Sequence, residues 1–154
     1  MQTDSCSTDI SRQRMTWLDR AISQEGCVRN GRMLSTQGLL LLRDIERAFC
    51  AGAWLSVVVL AYAVVDATLR DVATGDYKSK AADLYGSNPD LDWLRTLRNE
   101  IVHVSPPGSP SGLWKLPATD LSACHEALEH EAQRAVALAY RQVFAQQAGA
   151  QPRP

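Results

Sequence analysis

No pair of cysteines in this chain is spaced as C-x-x-C. The four present, Cys6, Cys27, Cys50 and Cys124, do not have the spacings of a disulfide framework. Cys50 and Cys124 fall in apolar stretches of helical pattern, where cysteine behaves as a small buried hydrophobe, so a reducing, cytoplasmic compartment is expected. The N-terminus, Met1 to Ser11, carries Asp4 and Asp9 and lacks both the basic start and the apolar core of a signal peptide. Charge of one sign is not in excess. The formal net charge is −1 at pH 7, so no global field draws the chain to nucleic acid or to an anionic membrane. Basic side chains for a local patch are scattered, among them Arg43, Arg47, Arg70, Lys78, Lys80, Arg95, Arg98 and Lys115. Internal repeats, low-complexity segments and strand pairs are missing, as are a glycine-rich phosphate loop and a Gly-x-Ser-x-Gly elbow. His125 and His130 sit at i, i+5 rather than the i, i+4 of a zinc-binding H-E-x-x-H helix, so they do not share a face. A solvated helix face is the reading there, and no metal or cofactor is expected.

What is present is ordinary for a globular chain: 154 residues, 45% hydrophobic and 21% charged. That is one domain, large enough to bury a core without staples. Phe49 to Val65 carries no charge over its whole length, at the lower limit of a membrane span. Gly52, Ser56 and Tyr62 interrupt it, and Glu46, Arg47 and Asp66 bracket it closely. The central helix of a soluble bundle is hydrophobic all round and gives the same signal, so a bundle helix is expected and no membrane.

Read in order, residues 1–8 are expected to be disordered, residues 9–147 to form one helical domain, and residues 148–154 to be a frayed tail. Thr8 or Asp9 caps a first helix to about Glu25, with Met15, Leu18 and Ile22 as its apolar stripe. Gly26 stops it. Ser35 or Thr36 caps a second helix, whose buried face is Leu41, Leu42, Ile45, Ala48 and Phe49. Ala51-Gly52-Ala53 either breaks this helix or lets it continue with close packing. The break is preferred, with a third helix from about Gly52 to Ala73. Its valines favour strands, but the segment is too long for one strand and has no turn inside it. Gly75 to Gly86 is a connection that holds a short helix, Ser79 to Tyr85. Asn88-Pro89 opens the next helix, Asn as cap and Pro in the first turn, with Asp90 and Asp92 at the positive end of its dipole. Leu91, Leu94, Leu97 or Arg98, and Ile101 form its apolar stripe. It ends near His103, because Pro106 pushes Ser105 out of the α region. A loop rich in proline follows, with Trp114 as its aromatic residue. Thr119 or Asp120 then caps a last helix to about Gln147, whose buried face is Leu121, Leu128, Ala132, Ala135, Val136, Ala139 and Val143. The fold expected is an all-α bundle of four long helices and one or two short ones.

The chemistry concentrates where the Asn88 helix ends, in Arg98-Asn99-Glu100-Ile101-Val102-His103. Arginine presents a planar fork matched to phosphate. A histidine at a helix C-terminus meets the negative end of the dipole, which favours the imidazolium. On a straight helix five residues turn about 500°, so Arg98 and His103 point about 140° apart. They converge if the helix ends between them or if two copies of this corner meet. Asn99 and His103, at i, i+4, share a face. These are the groups that cleavage of a phosphodiester without a metal needs, one to move a proton and a fixed cation at the phosphorane. A surface arginine followed by a C-capping histidine produces the same string.

That string, in a chain of this size and helical layout, resembles the HEPN superfamily (higher eukaryotes and prokaryotes nucleotide-binding), whose hallmark is Arg-x(4–6)-His with a polar residue after the arginine. The resemblance covers roughly residues 34–146, and only the hexapeptide is specific. It implies an α-helical bundle that dimerises so that two motifs face each other, and a metal-independent endoribonuclease acting as a toxin, a defence effector or an RNA-processing enzyme. The partners it implies are RNA, a second copy, and an antitoxin or effector protein. Arg98 would then bind and polarise the scissile phosphate, His103 would transfer a proton or hold the phosphate, and Asn99 would orient one of them. Many members carry an acidic or polar residue on a preceding helix, and here Asp66 is the candidate; it also simply marks where its helix meets water. One toxin branch has a tyrosine two residues after the histidine, the acceptor of inactivating nucleotides. Ser105 stands there in this chain, which argues against regulation of that kind. Other members are inactive and bind RNA, nucleotides or proteins, so a non-catalytic binding module is the competing expectation. A plain structural bundle is the third.

Overall fold

The computed structural model describes residues 3–24, 35–72, 83, 85–103 and 120–148. The described residues form five helices of more than three turns and no strand: α1 (Thr3–Gln24), α2 (Thr36–Ala51), α3 (Trp54–Val72), α4 (Pro89–Val102) and α5 (Leu121–Ala148). The chain is thus all-α. None of the described helices is long and apolar enough to cross a membrane.

The capping chemistry falls largely where the sequence placed it. Ser35 caps α2, its side chain accepting from the Gly38 N–H at 3.2 Å. Asn88 caps α4, its Oδ1 accepting from the N–H groups of Asp90 and Leu91, with Pro89 as the first helical residue. At α5 it is Asp120 whose Oδ1 accepts from Ala123 N–H. The break at Gly52 is real. Gly52 takes φ +73°, its N–H bonds Phe49 O, and the Ala53 N–H reaches back to Ala48 O. This is the paired closure that ends a helix on a left-handed glycine. α1 departs from expectation: it starts at Thr3, within the segment expected to be disordered and ahead of the Thr8 or Asp9 cap. No glycine or proline interrupts residues 1–25, so nothing local ends the helix sooner. The short helix expected over 79–85 falls mostly outside the described residues, with Tyr85 to Ser87 helical at its end. The loop expected around Trp114 also lies outside them.

α3 is the hub. It packs against α2, α4 and α5, and Trp54, Val57, Val58, Ala61, Val64 and Val65 are buried along it. The valine-rich run is therefore helical because tertiary burial on three sides outweighs a weak strand preference. Leu42, Ile45 and Phe49 of α2, Leu91, Leu94 and Leu97 of α4, and Ala132, Ala135, Val136, Ala139 and Val143 of α5 complete the same core. Leu121 was expected in that face but is 74% exposed, and Leu128 is only half-buried. At 1.5 Å per residue α5 is about 42 Å long and α3 about 28 Å, so α5 outruns the helix that buries it, and it starts ahead of His125, which meets Trp54 at the start of α3.

α1 lies mainly on α2. Its Leu18 is buried, and Trp17 stacks on Phe49 at 5.0 Å. Ser11 Oγ and Arg14 Nη1 both donate to the Cys50 carbonyl, at 3.2 and 3.3 Å. A hydroxyl and a cation thus cover the negative end of α2, where its carbonyls lack helical partners.

Candidate functional site

Arg98 stands on the side of α4 that turns towards α3. Its guanidinium carbon lies 5.3 Å from the centre of the Tyr62 ring, within cation–π range. Its Nη1 donates to Asn99 Oδ1 at 2.9 Å. Its Nε is wholly buried and has no hydrogen-bond partner. Among the described residues no carboxylate pairs with it. Tyr62 in turn stacks on Tyr85, with centroids 5.9 Å apart. Arg95, one turn before Arg98, rests on the Tyr85 ring at 5.7 Å and is ion-paired to Asp92 at 2.6 Å. The result is a ladder of two arginines and two tyrosines between α3 and α4. Burial, then the neighbouring Tyr62 phenol and the Asp66 carboxylate, pushes the Tyr85 phenol well above its ordinary range against the opposing pull of Arg95, so Tyr85 is neutral.

Below this ladder α3 presents Asp66 and Arg70, joined Oδ2 to Nε at 2.9 Å. Arg98, Tyr62, Asp66 and Arg70, with Gln37 of α2 and the small apolar Val59, Ala63 and Ala67, line a cleft of about 230 Å³. Of the four residues singled out from sequence, two line this cleft, Arg98 and Asp66. Asn99 is bonded to Arg98. His103 is not a lining residue. It is the C-cap of α4, with φ −122° and ψ 153°, its N–H on Asn99 O at 3.0 Å. The chain has left the helix there, and the exposed imidazole has no hydrogen bond or ion pair with any described residue. One chain therefore places Arg98 and Asp66 on one cleft, with Asn99 on Arg98, and His103 does not line it. Asn99 and His103 meet through the backbone, while the Asn99 side chain turns back to Arg98.

Tyr62 and Tyr85 were not singled out from sequence. Tyr62 sits one turn before Asp66 on the same helix, a spacing that marks a shared face. Tyr85 follows a connection whose course no sequence pattern reveals. A second cluster also went unread. Trp54 Nε1 donates to His125 Nδ1 at 3.2 Å, and Arg14 lies 4.6 Å over the Trp54 ring. Nearby Ile10, Gln13, Arg14, Trp17, Phe49, Glu129 and Gln133 line a cleft of about 300 Å³ between α1 and α5. An imidazole that accepts on Nδ1 carries its proton on Nε2, so His125 is held in one tautomer. Among the described residues no three His, Cys, Asp or Glu side chains converge to hold a metal ion. Cys50 and Cys124 are half-buried free thiols. Burial, then Glu46, pushes the Cys50 thiol up, so it is a poor nucleophile. Trp93 lies half-buried under Arg134, 3.9 Å from ring centre to guanidinium carbon.

Comparison with protein-family models, with curated proteins and with solved structures returns no match.

Proposed function

We propose that this chain is a HEPN-type, metal-independent endoribonuclease, working as a homodimer whose site is shared between two copies. One observation carries this reading: Arg98 is a half-buried cation with a buried, unpartnered Nε, opening onto a cleft, and no described carboxylate neutralises it. A buried donor left unmade costs about 1–3 kcal/mol. That cost falls on a side chain that lines the cleft and keeps Nη hydrogens free of Asn99 for a ligand, and for an arginine fork the matching acceptor is a phosphate or carboxylate oxygen.

In the reaction the ribose 2′-oxygen bonds to phosphorus, the bond from phosphorus to the 5′-oxygen breaks, and a 2′,3′-cyclic phosphate and a 5′-hydroxyl result. A neutral His103 takes the 2′-hydroxyl proton, and the second copy's histidine, charged, gives one to the departing oxygen. Arg98 stabilises the charge that gathers on the phosphorane, and Asn99 holds Arg98. Asp66 is bound to Arg70 and so acts by fixing a second cation at the cleft rather than as a base. Two copies are invoked because His103 does not line the cleft that Arg98 of its own chain lines. Two exposed apolar side chains fit that assembly. Leu55 and Val102, each 42% exposed, lie one helical turn from the cleft residues Val59 and Arg98 on the same faces, where a second copy would cover them.

The separation of His103 from the cleft favours a second reading, a module that binds a phosphorylated ligand at Arg98 without cleaving it. Cleavage of RNA by purified protein in EDTA, wild type beside Arg98→Ala and His103→Ala, decides between the two. The expected losses in kcat are about 10²–10³-fold for Arg98→Ala and about 10²–10⁴-fold for His103→Ala. A wild type that is a folded dimer yet inert on varied RNAs overturns the nuclease reading and leaves the binding module.

A further inference from the structure

We infer that Tyr62 is the positioning residue of Arg98: its ring, backed by Tyr85, holds the guanidinium in place without neutralising it or occupying its fork. This role presupposes an anion-binding Arg98 as proposed above, but it is carried by separate geometry. The three arginines around the ladder are held in two different ways. Arg70 is fixed by Asp66 at 2.9 Å and Arg95 by Asp92 at 2.6 Å. Each of these carboxylates cancels the charge that it holds and takes up donor N–H groups. Arg98 has no such partner among the described residues. It is fixed by the face of Tyr62 at 5.3 Å and by the neutral amide of Asn99 at 2.9 Å.

The difference matters for an arginine that must meet an anion. A guanidinium has five N–H donors in a fixed fork. A carboxylate partner would occupy the edge that a phosphate needs, and an incoming anion would have to displace it. An aromatic face attracts the cation through its quadrupole and takes none of the in-plane N–H groups. With Nε buried and one Nη1 hydrogen on Asn99, the remaining Nη hydrogens form the end of the fork that a ligand can reach. Tyr62 must itself be rigid to do this. It is half-buried against the core, and Tyr85, only 4% exposed, stacks behind it with the planes 22° apart. Arg95 lies on Tyr85 in turn. The ladder therefore transmits the packing of the α3–α4 interface to the orientation of one side chain. The part of Tyr62 that matters is its ring and not its hydroxyl.

The test compares Tyr62→Phe, which keeps the ring, with Tyr62→Leu and Tyr62→Met, two ringless side chains that still fill core space. Each is measured in the wild-type and Arg98→Ala backgrounds by RNA cleavage in EDTA. Tyr62→Phe is expected to stay within about twofold of wild type. The ringless variants are expected to lose about 3- to 30-fold, the range of one cation–π contact, in kcat more than in KM. In the Arg98→Ala background that loss should vanish, because the residue acts through Arg98. A loss that persists undiminished there, a Tyr62→Phe as impaired as Tyr62→Leu, or ringless variants as active as wild type overturns the proposal. If wild type cleaves no RNA, the nuclease reading fails, and Tyr62 is judged on the Arg98 Nε–H resonance in NMR spectra of the full chain. Ring current should displace that resonance in wild type and Tyr62→Phe, and it should move to the position of an ordinary arginine in Tyr62→Leu and Tyr62→Met. A resonance that the ringless variants leave in place overturns the proposal whatever the activity.

Discussion

Gly52→Ala is the sharpest single test of how α1 is held. Gly52 has φ +73°, a conformation that costs a residue with a Cβ roughly 1–2 kcal/mol. A Cβ there would also lie 2.6 Å from Arg14 Nη1, 2.9 Å from Nη2 and 3.0 Å from Cζ. Arg14 must then move, although its guanidinium donates to Cys50 O and lies 4.6 Å over Trp54. A charge-assisted hydrogen bond contributes about 1.5–3 kcal/mol and a partly exposed cation–π contact about 0.5–1 kcal/mol. Strain and lost contacts together put the cost of Gly52→Ala at about 3–6 kcal/mol. Arg14→Ala alone should cost about 2–4 kcal/mol for the same two contacts. With Arg14 already gone, Gly52→Ala should cost only the strain, about 1–2 kcal/mol. Urea unfolding of the four proteins measures the cycle, and the two substitutions should be less than additive by about 2–4 kcal/mol. Additivity within about 0.5 kcal/mol would show that Arg14 does not pack on Gly52, and the account of the α1–α2 junction would be wrong.

Two further substitutions probe the core and the ladder. Phe49 is fully buried and packed between Trp17 at 5.0 Å and Trp54 at 5.3 Å, so Phe49→Ala should cost about 3–5 kcal/mol in urea unfolding; a cost below about 1.5 kcal/mol contradicts its central placement. The Tyr85 hydroxyl is buried without a hydrogen-bond partner, so Tyr85→Phe should leave stability at neutral pH unchanged or raise it by about 1 kcal/mol. The same phenol is held above its ordinary range in the fold, so the unfolded chain loses this proton first. Its stabilising contribution is full below about pH 10 and is lost as pH rises above that value. Unfolding at pH 8 and pH 11 should show a smaller alkaline loss in Tyr85→Phe than in wild type, and equal losses would refute the assignment.

The local rules of helix formation were the legible part of this chain. Asn88-Pro89, Ser35 and Gly52 act through their own backbone and side-chain geometry, and that chemistry is readable without a partner. The burial of Leu42, Ile45 and Phe49, or of Leu91, Leu94 and Leu97, follows from spacing alone. Leu121 was misplaced because burial depends on what lies opposite, and no pattern within α5 tells how far α3 extends. The site divides in the same way. Arg98 and Asn99 are adjacent in sequence, and their contact was available to inspection. That Asp66 shares the Arg98 cleft rested on resemblance, and its ion pair with Arg70 at i, i+4 was not drawn from the spacing that allows it. Tyr85 belongs to a different segment from Tyr62, and no periodicity encodes their contact.

How the arginines are held also bears on where an anion would bind. Arg12, Arg47, Arg70, Arg95 and Arg134 each have a carboxylate within 3.5 Å, exposed or half-exposed pairs that contribute about 0–1 kcal/mol of stability but consume charge. Arg14 and Arg98 are held instead by aromatic rings. Arg14 donates to the last turn of α2, whose negative dipole end offsets its charge, and Glu129 lines the same cleft. Arg98 has only a neutral amide and a ring against it. Asp66, in its own cleft, is already engaged by Arg70. An anion arriving at Arg98 therefore displaces no ion pair of Arg98 with a described residue and meets the Nη hydrogens that Asn99 leaves free. Binding at Arg14 would instead compete with the Cys50 carbonyl and meet Glu129. The same comparison separates affinity from catalysis. Arg98, Tyr62 and Asn99 are complete within one chain, so phosphate binding should survive in a monomer. Under the proposed nuclease reading, proton transfer needs a His103 at a cleft that its own chain's His103 does not line, so cleavage should disappear with dissociation. An obligate monomer that cleaves RNA in EDTA would break that link between geometry and assembly.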